Sequence, residues 1–522
     1  MLLIQWMQVD QHKVKGMEKT GVNGGVKVDF EGLPIGGGRG RFRFPHIRGA
    51  TGKFRLFGHY VHVQFLLLAC FELALIFALS VAIYNHFIVV ESAVLERASI
   101  LLTFERGAKI ALMAVFFVLY MVAMGLYDTR QREKLSGLVA RLITALFLAA
   151  MTLTVLYYFF PSLSAGDGLL KASAVASVAS LALIRAVFYK FVDGRVLLRR
   201  VLVLGTGKKA LNIDRLRRKA DMRGFHLVGF FTLDENQPLH VDQSRTVKFD
   251  KSLSTYTLEN DIDEIVIALD DRRQHLPMEE LLNCRMSGVD ITDTLDFFER
   301  ESALIQLDLV QPSWLIHADG FKRNFIRSAV KRSFDILVSV GLLLLSAPLM
   351  FLTALAILLE GRGKGPVFYN QQRVGRNGEC FNVHKFRSMR TDAEADGIAR
   401  WAQEEDPRIT RVGAFIRKYR LDELPQLWNV LVGEMSLVGP RPERPEFVKT
   451  LCQANPLYKE RHRVCPGITG WAQLCYPYGA SAEDSMSKLQ YDLYYVKNHG
   501  LFLDAYTLIQ TVEVVLFKKG AR

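Results

Sequence analysis

Four apolar stretches, near residues 62–84, 108–126, 138–160 and 169–191, each approach the length that a helix needs to cross a bilayer. A segment in hydrocarbon must satisfy its own backbone hydrogen bonds, so these stretches predict a four-helix transmembrane bundle over residues 61–192. Lys53 and Arg55 precede the first stretch, Arg130, Arg132 and Lys134 separate the second from the third, and Arg195, Arg199 and Arg200 follow the fourth. The connections around Glu91–Arg106 and Ser162–Lys171 carry few cations, which places both ends of the bundle in the cytoplasm. Glu72 and Arg185 fall within spans. They could pair or line a site, and the preferred reading of Arg185 is a side chain that snorkels to the interface.

Half of the 522 residues are hydrophobic and the formal charge is +13, a balance that suits a membrane protein with anionic lipid, nucleotide or phosphate partners. Nucleic acid is not among them: the cations sit beside apolar spans and no nucleic-acid module is present. Cys70, Cys284, Cys380, Cys452, Cys465 and Cys475 are scattered without a C-x-x-C pair, which argues for reduced thiols and against a zinc site. Residues 1–60 are rich in Gly, Lys and Arg and read as a disordered basic arm. The first long apolar run starts only near His62, so a secretory signal is not supported.

Residues 199–300 read as a Rossmann-like soluble domain. Val201–Leu204 forms a buried strand, Gly205-Thr-Gly207 a turn and Lys208 onward a helix; Phe225–Phe231, Ile262–Leu269 and Gly288–Ile291 supply further strands. The glycine fingerprint is truncated, with Ala210 in the third glycine's place, and the acid expected on the second strand comes only as Asp234 or Glu235. A structural or regulatory role is therefore favoured over active dinucleotide chemistry. An NAD-dependent nucleotide-sugar-modifying enzyme remains an alternative, weakened by the lack of a Tyr-x-x-x-Lys pair.

Residues 301–330 read as a linker with Pro312, Trp314 and a basic run that includes Lys322, Arg323 and Arg327. The apolar run Phe334–Leu359 follows, with Pro348 near its middle, Lys331 and Arg332 before it, and Arg362 and Lys364 after it. Equal positive flanks favour a helix that breaks at Pro348 and returns to the face it entered from. Beyond it, Pro366–Gln371 and Glu379–Phe386 flank an Asn377-Gly378 turn signal and predict a hairpin. Residues 390–405 read as an exposed helix, and Leu501–Phe517 as an amphipathic one ending in Lys518 and Lys519.

The chemistry gathers between Arg411 and Gln473. Leu424, Leu427, Trp428 and Leu431 fall at helical spacing, so a helix is expected from Leu424 with Asp422 as its N-cap and Pro425 in its first turn. Free amides and the positive end of the macrodipole there keep a carboxylate ionised and welcome a phosphate. Arg417 and Arg420 come before, and Gly439-Pro-Arg441-Pro442 after. Such an acid in a cationic nest can act as a nucleophile towards phosphorus. Trp428 and Trp471 read as packing, and His384 is given no role.

Six ordered segments carry a resemblance: Lys331-Arg-Ser-Phe-Asp335, Lys385-Phe-Arg-Ser-Met389, Leu421-Asp-Glu-Leu-Pro-Gln-Leu-Trp-Asn-Val430, Met435-Ser-Leu-Val-Gly-Pro-Arg-Pro442, Pro466-Gly-Ile-Thr-Gly-Trp-Ala-Gln473 and Asp492-Leu-Tyr-Tyr-Val-Lys-Asn498. Together they resemble the bacterial sugar transferase family, the monotopic polyprenyl-phosphate phosphoglycosyl transferases, over roughly residues 328–519. The whole layout is similar to the long members that prime exopolysaccharide synthesis. The resemblance implies a catalytic domain over 331–522 with a re-entrant membrane helix at 334–359, on the cytoplasmic face of the bacterial inner membrane. It implies transfer of a sugar 1-phosphate from a UDP-sugar to undecaprenyl phosphate, with release of UMP and a covalent intermediate on Asp422. Glu423 and Asp422 would hold Mg²⁺, and Arg441, Arg417, Lys385 and Arg387 would bind substrate phosphate. A non-catalytic membrane scaffold for polysaccharide assembly is the other alternative, and a homodimer is left open. Two positions depart from the family's pattern: Ala347 stands where serine is frequent before the proline, and Cys465 where arginine is frequent.

Overall fold

The computed structural model describes residues 53–56, 59–91, 100–127, 135–164, 166–193, 198–216, 225–233, 238–247, 252–270, 276–310, 325–393, 406–476 and 481–517. All of these lie in the unit Gly49–Arg522. Most of the basic arm, Arg130, Arg132, Lys134, Arg195, Asp234, Glu235, Pro312, Trp314, Lys322, Arg323, residues 394–405, Lys518 and Lys519 lie outside the described residues.

The end of the arm departs from the expected disorder. Lys53–Leu56 (β1) and His59–His62 (β2) pair antiparallel, with Phe54 opposite Val61 and Arg55 opposite Tyr60, β-forming residues that favour a ladder. Helices α1 (Val63–Glu91), α2 (Ile100–Ala123), α3 (Leu135–Phe159) and α4 (Asp167–Asp193) follow. Each contains a stretch long and apolar enough to cross a membrane. They share one core containing Ile76, Met113, Phe117, Leu142, Leu153 and Leu181, while Leu67, Phe71, Phe147, Met151 and Leu183 face outward.

Arg185 does not snorkel. Its Nη2 lies 2.7 Å from Glu72 Oε2, and both side chains are 0 % exposed. The cause is the end of α2, which closes inside the core through Gly125 at φ +66°. That closure turns the carbonyls of Met124 and Leu126 inward, where Arg141 Nη1 and Arg185 Nη1 donate to them at 3.0 and 2.7 Å. Cations belong at the negative end of a helix, and a buried carbonyl needs a donor.

The α/β unit is a five-stranded parallel sheet in the order β5-β4-β3-β6-β7, from Thr246–Val247, Phe225–Phe231, Arg199–Leu204, Glu264–Ile267 and Asp290–Asp293. The two-residue β5 is too short to leave a sequence signal. Helices α5 (Lys208–Asp214), α6 (Leu253–Glu259), α7 (Met278–Met286) and α8 (Thr294–Ser302) accompany it. Val201, Val203, Phe230 and Phe297 fill one face, and Leu202, Leu204, Phe231 and Leu281 the other. Two buried faces explain why these strands read as continuous apolar runs.

The segment after α8, expected as linker, begins as core. Ala303 and Ile305 pack with Leu427, Val438, Trp471 and Tyr494, and Ile305 N donates to Gln490 O at 3.0 Å. Helix α9 runs from Phe325 to Glu360 with Pro348 inside it. Next comes the antiparallel hairpin β8 (Phe368–Val374) and β9 (Cys380–Phe386), turning through Asn377 and Gly378 at φ +57° and +85°. The remaining elements are α10 (Arg411–Lys418), α11 (Gln426–Val432), β10 (Ser436–Val438), α12 (Pro445–Ala454), β11 (Gly467–Thr469), α13 (Trp471–Cys475), α14 (Ala482–Asn498) and α15 (Leu501–Phe517). Trp471 is buried as expected, whereas Trp428 is 59 % exposed because it faces away from the core that takes Leu427 and Val430.

Candidate active site

Between α10 and α11 the chain turns sharply. Arg420 takes the left-handed conformation, φ +58°, and leads into a 3-10 turn over Leu421–Glu423. An α-helix from Leu424 with Asp422 as N-cap is not what forms: α11 starts at Gln426, and Pro425 occupies its N-cap position. Glu423 N donates to Arg420 O at 3.3 Å and Leu424 N to Leu421 O at 3.2 Å, the three-residue bonds of a 3-10 turn, so the chain closes this tighter turn before the α-helix begins. The tightened turn leaves both acids inside the fold, each 9 % exposed.

Around them stand the cations. Arg441 Nη2 donates to Glu423 Oε1 at 2.7 Å, with Arg420 Nη1 at 3.9 Å and Lys385 Nζ at 4.0 Å from the same oxygen. Burial pushes the Glu423 carboxyl up, but Arg441, Lys385 and Arg420 outweigh it and hold the group at about 2. Asp422 is raised, by burial first and by the charge on Glu423 second, against the pull of Lys385, Arg417 and Arg420. Lys385 is lowered to about 8 by burial, with Arg441 and Arg373 adding to the effect. Asp422 Oδ1 is buried without a hydrogen-bond partner.

Arg441 is aimed by a second layer. Gly439 N donates to Thr469 O, and Gly467 N to Pro440 O, each at 3.0 Å, which pins the Gly439–Pro442 loop to β11. Arg461 Nη2 donates to Arg441 O at 2.8 Å while pairing with Asp492 at 2.9 Å, and its guanidinium lies 4.9 Å from the Tyr458 ring centre. Asn429, fully buried, accepts from His384 N at 3.1 Å and donates to Asn382 O at 2.7 Å, which clips the strand carrying Lys385 onto α11.

Asp422, Glu423, Lys385 and Arg441 therefore meet, with Arg417 close enough to act on Asp422. Arg387 does not join them. Strand β9 ends at Phe386, and the Arg387 guanidinium lies 3.4 Å from Lys364 O, just past the end of α9. Pro348 is exposed, among the exposed Leu344, Leu345, Leu349 and Phe351. The Ser346 hydroxyl sits 3.6 Å from Met350 Sδ. Sequence reading assigned nothing to Arg461, Asp492 or Asn429, although the latter two lie in the segments that carry the family resemblance.

Among the described residues no three His, Cys, Asp or Glu side chains converge into a ready metal cage. Mg²⁺ needs no such cage, since it takes one or two carboxylates and completes its shell with water and phosphate. An unbonded, buried Asp422 Oδ1 beside the ionised Glu423 fits that pattern.

Comparison with known proteins agrees with this picture. The bacterial sugar transferase model matches residues 326–518, and a CoA-binding domain model matches residues 122–291. An Aeromonas hydrophila UDP-N-acetylgalactosamine-undecaprenyl-phosphate N-acetylgalactosaminephosphotransferase is 47 % identical over 242 residues, covering 46 % of this chain and 56 % of that protein. A Komagataeibacter xylinus undecaprenyl-phosphate glucose phosphotransferase is 36 % identical over 334 residues, covering 63 % and 61 %. The matched region thus spans under two thirds of either protein. A Xanthomonas campestris UDP-glucose:undecaprenyl-phosphate glucose-1-phosphate transferase is 31 % identical over 356 residues, covering 66 % of this chain and 72 % of that one. With the transferase model on the half that holds the carboxylates and such relatives aligned across both halves, the chain belongs to the bacterial sugar transferase family.

Proposed function

We propose that this chain transfers a sugar 1-phosphate from a UDP-sugar to undecaprenyl phosphate, as the priming step of exopolysaccharide synthesis. The observation that carries the reading is the split pair: Asp422 with a free, buried oxygen, next to Glu423 held ionised by Arg441. An Asp422 oxygen attacks the sugar-bearing phosphorus of the UDP-sugar, the bond to the bridging oxygen breaks, and UMP leaves with that electron pair. A phosphate oxygen of undecaprenyl phosphate then attacks the same phosphorus, the bond to Asp422 breaks, and undecaprenyl-diphospho-sugar forms with the carboxylate restored. Arg441, Lys385 and Arg417 offset the anionic charge that would otherwise repel each incoming group. Glu423 and Asp422 would hold Mg²⁺, which would supply further charge neutralisation there.

The lipid acceptor requires a membrane-edge site, and α9 supports one. In its first arm Arg332 Nη1 donates to Val430 O at 2.5 Å, next to the Asn429 that holds His384 N at 3.1 Å, while in its second arm Ile357 packs on Phe386, two residues along the strand from His384. A straight helix would separate positions 332 and 357 by roughly 38 Å, whereas residues two apart on a strand lie roughly 7 Å apart. Return of both arms to one neighbourhood supports a re-entrant helix bent at Pro348. It enters one leaflet beside a four-helix transmembrane bundle and leaves the catalytic domain on the cytoplasmic face of the inner membrane. The assay is UMP release by purified membranes given undecaprenyl phosphate, Mg²⁺ and in turn UDP-glucose, UDP-galactose and UDP-N-acetylgalactosamine. Acceptor-dependent UMP release with one of these sugars is expected; none with any of them sinks the reading.

A further inference from the structure

The family model over residues 122–291 is named for coenzyme A, so the α/β unit carries an implied ligand whose phosphates would sit on the glycine turn after β3. The residues at that turn can be tested against it. Gly205 adopts φ +115°, and a Cβ there would lie 2.9 Å from Ala268 O, so the sharp exit from the strand is intact. Beyond it the cradle is already full. Asp270, just past β6, turns its carboxylate onto the first amides of α5: Oδ2 accepts from Lys208 N at 2.8 Å and Oδ1 from Lys209 N at 3.0 Å. A Cβ on Gly207 would collide with Asp270 Oδ2, so the carboxylate fills the gap that this glycine opens. Lys209 Nζ, a cation that could have greeted a phosphate, donates to Leu269 O at 2.9 Å. A pyrophosphate arriving here meets a like charge and two amides that have a partner already, and α5 has only seven residues to lend a dipole.

We infer that the α/β unit takes neither coenzyme A nor a dinucleotide on its glycine turn, because Asp270 serves there as a built-in anion, and that the unit acts as a brace for the transferase domain. The opposite end of the unit shows what is braced. Glu299 on α8 is 2 % exposed and receives Lys497 Nζ at 2.6 Å and Asn498 Nδ2 at 3.0 Å from α14. Trp471 Nε1 donates to Ala303 O at 2.9 Å. Helix α14 also carries Asp492, the partner of Arg461, so the brace ends one step from the residue that aims Arg441.

The test uses the full chain in lipid nanodiscs, as wild type, Asp270→Asn and Asp270→Ala. Equilibrium dialysis with labelled coenzyme A and labelled NAD⁺, each up to about 1 mM, measures binding, and thermal unfolding measures the cap. Expected are no saturable retention of either nucleotide by the wild type, and an unfolding midpoint lowered by about 2–4 °C in Asp270→Ala and by less in Asp270→Asn. Saturable micromolar binding of either nucleotide by the wild type overturns the inference, as does an unchanged midpoint in Asp270→Ala. Neither readout involves sugar transfer, so the result stands apart from the catalytic reading.

Discussion

Asp422 and Glu423 are consecutive, equally buried and driven in opposite directions, and the difference lies in which carboxylate the guanidinium of Arg441 reaches. One acid is committed to holding a cation, and the other is left with an unbonded oxygen for chemistry. Removing one aimed donor that stabilises developing negative charge typically costs about 10²–10³ in rate. Arg441→Ala is therefore expected to lower sugar-phosphate transfer by about that factor. Arg387→Ala, which touches the loop after α9 and not the carboxylates, should change it by less than about threefold. Initial rates of UMP release on the two variants check this pair. The sequence showed the acids, Lys385 and Arg441, because they sit in short recognisable segments. It could not show that Arg387 turns aside, since that depends on β9 stopping one residue earlier.

Histidines at this scale set the response to acid. His499 is lowered to about 4 by burial first and Arg327 next, and His462 to about 4 by burial and Arg461. Unfolded, each titrates near about 6.5, so between those values the unfolded chain binds more protons and stability falls as pH drops. Asp492, pushed up to about 6 by burial, works in the opposite sense over the lower part of that window. The contribution of one histidine is isolated by comparison with a neutral variant. The drop in unfolding midpoint from pH 7.5 to pH 5 should be smaller in His499→Gln than in the wild type, by the equivalent of about 2 kcal/mol.

At the scale of elements, turn geometry, a helix end and buried charge explain where the sequence reading and the structure part. Glu423 N and Leu424 N bond three residues back rather than four, which makes a 3-10 turn and moves the start of α11 two residues on, a choice that helical spacing cannot register. The end of α2 inside the bundle explains the ion pair of α1 and α4, because Arg185 serves the Leu126 carbonyl as well as Glu72. A sequence shows two charges in apolar spans, not the helix terminus between them. Breaking such a pair by removing one partner costs about 3–5 kcal/mol, whereas replacing both with apolar groups is often neutral. Arg185→Met is thus expected to be more damaging than the Glu72→Leu/Arg185→Met double variant, read as folded yield and unfolding midpoint in detergent.

Across the whole molecule, chain-distant segments are drawn into one support for the carboxylate site. Helix α15 links the parts: Asp504 pairs with Lys331 of α9 at 2.7 Å, Thr511 bonds Thr469 of β11 at 2.9 Å, and Gln510 Nε2 reaches Val122 O at the end of α2 at 3.2 Å. The apolar spans and the parallel sheet were legible because periodicity and run length are local. The docking of residues 303–305 into the transferase core was not, because a short apolar segment looks the same in a linker as in a core. The proposed mechanism requires a covalent bond between Asp422 and phosphorus. The most direct measurement incubates the protein with UDP-sugar labelled at the sugar-bearing phosphate, without lipid acceptor, and follows label on the quenched polypeptide. Label is expected on the wild type, discharged by undecaprenyl phosphate, and absent from Asp422→Asn. Equal labelling of that variant, or lipid product from a wild type that never becomes labelled, would contradict it.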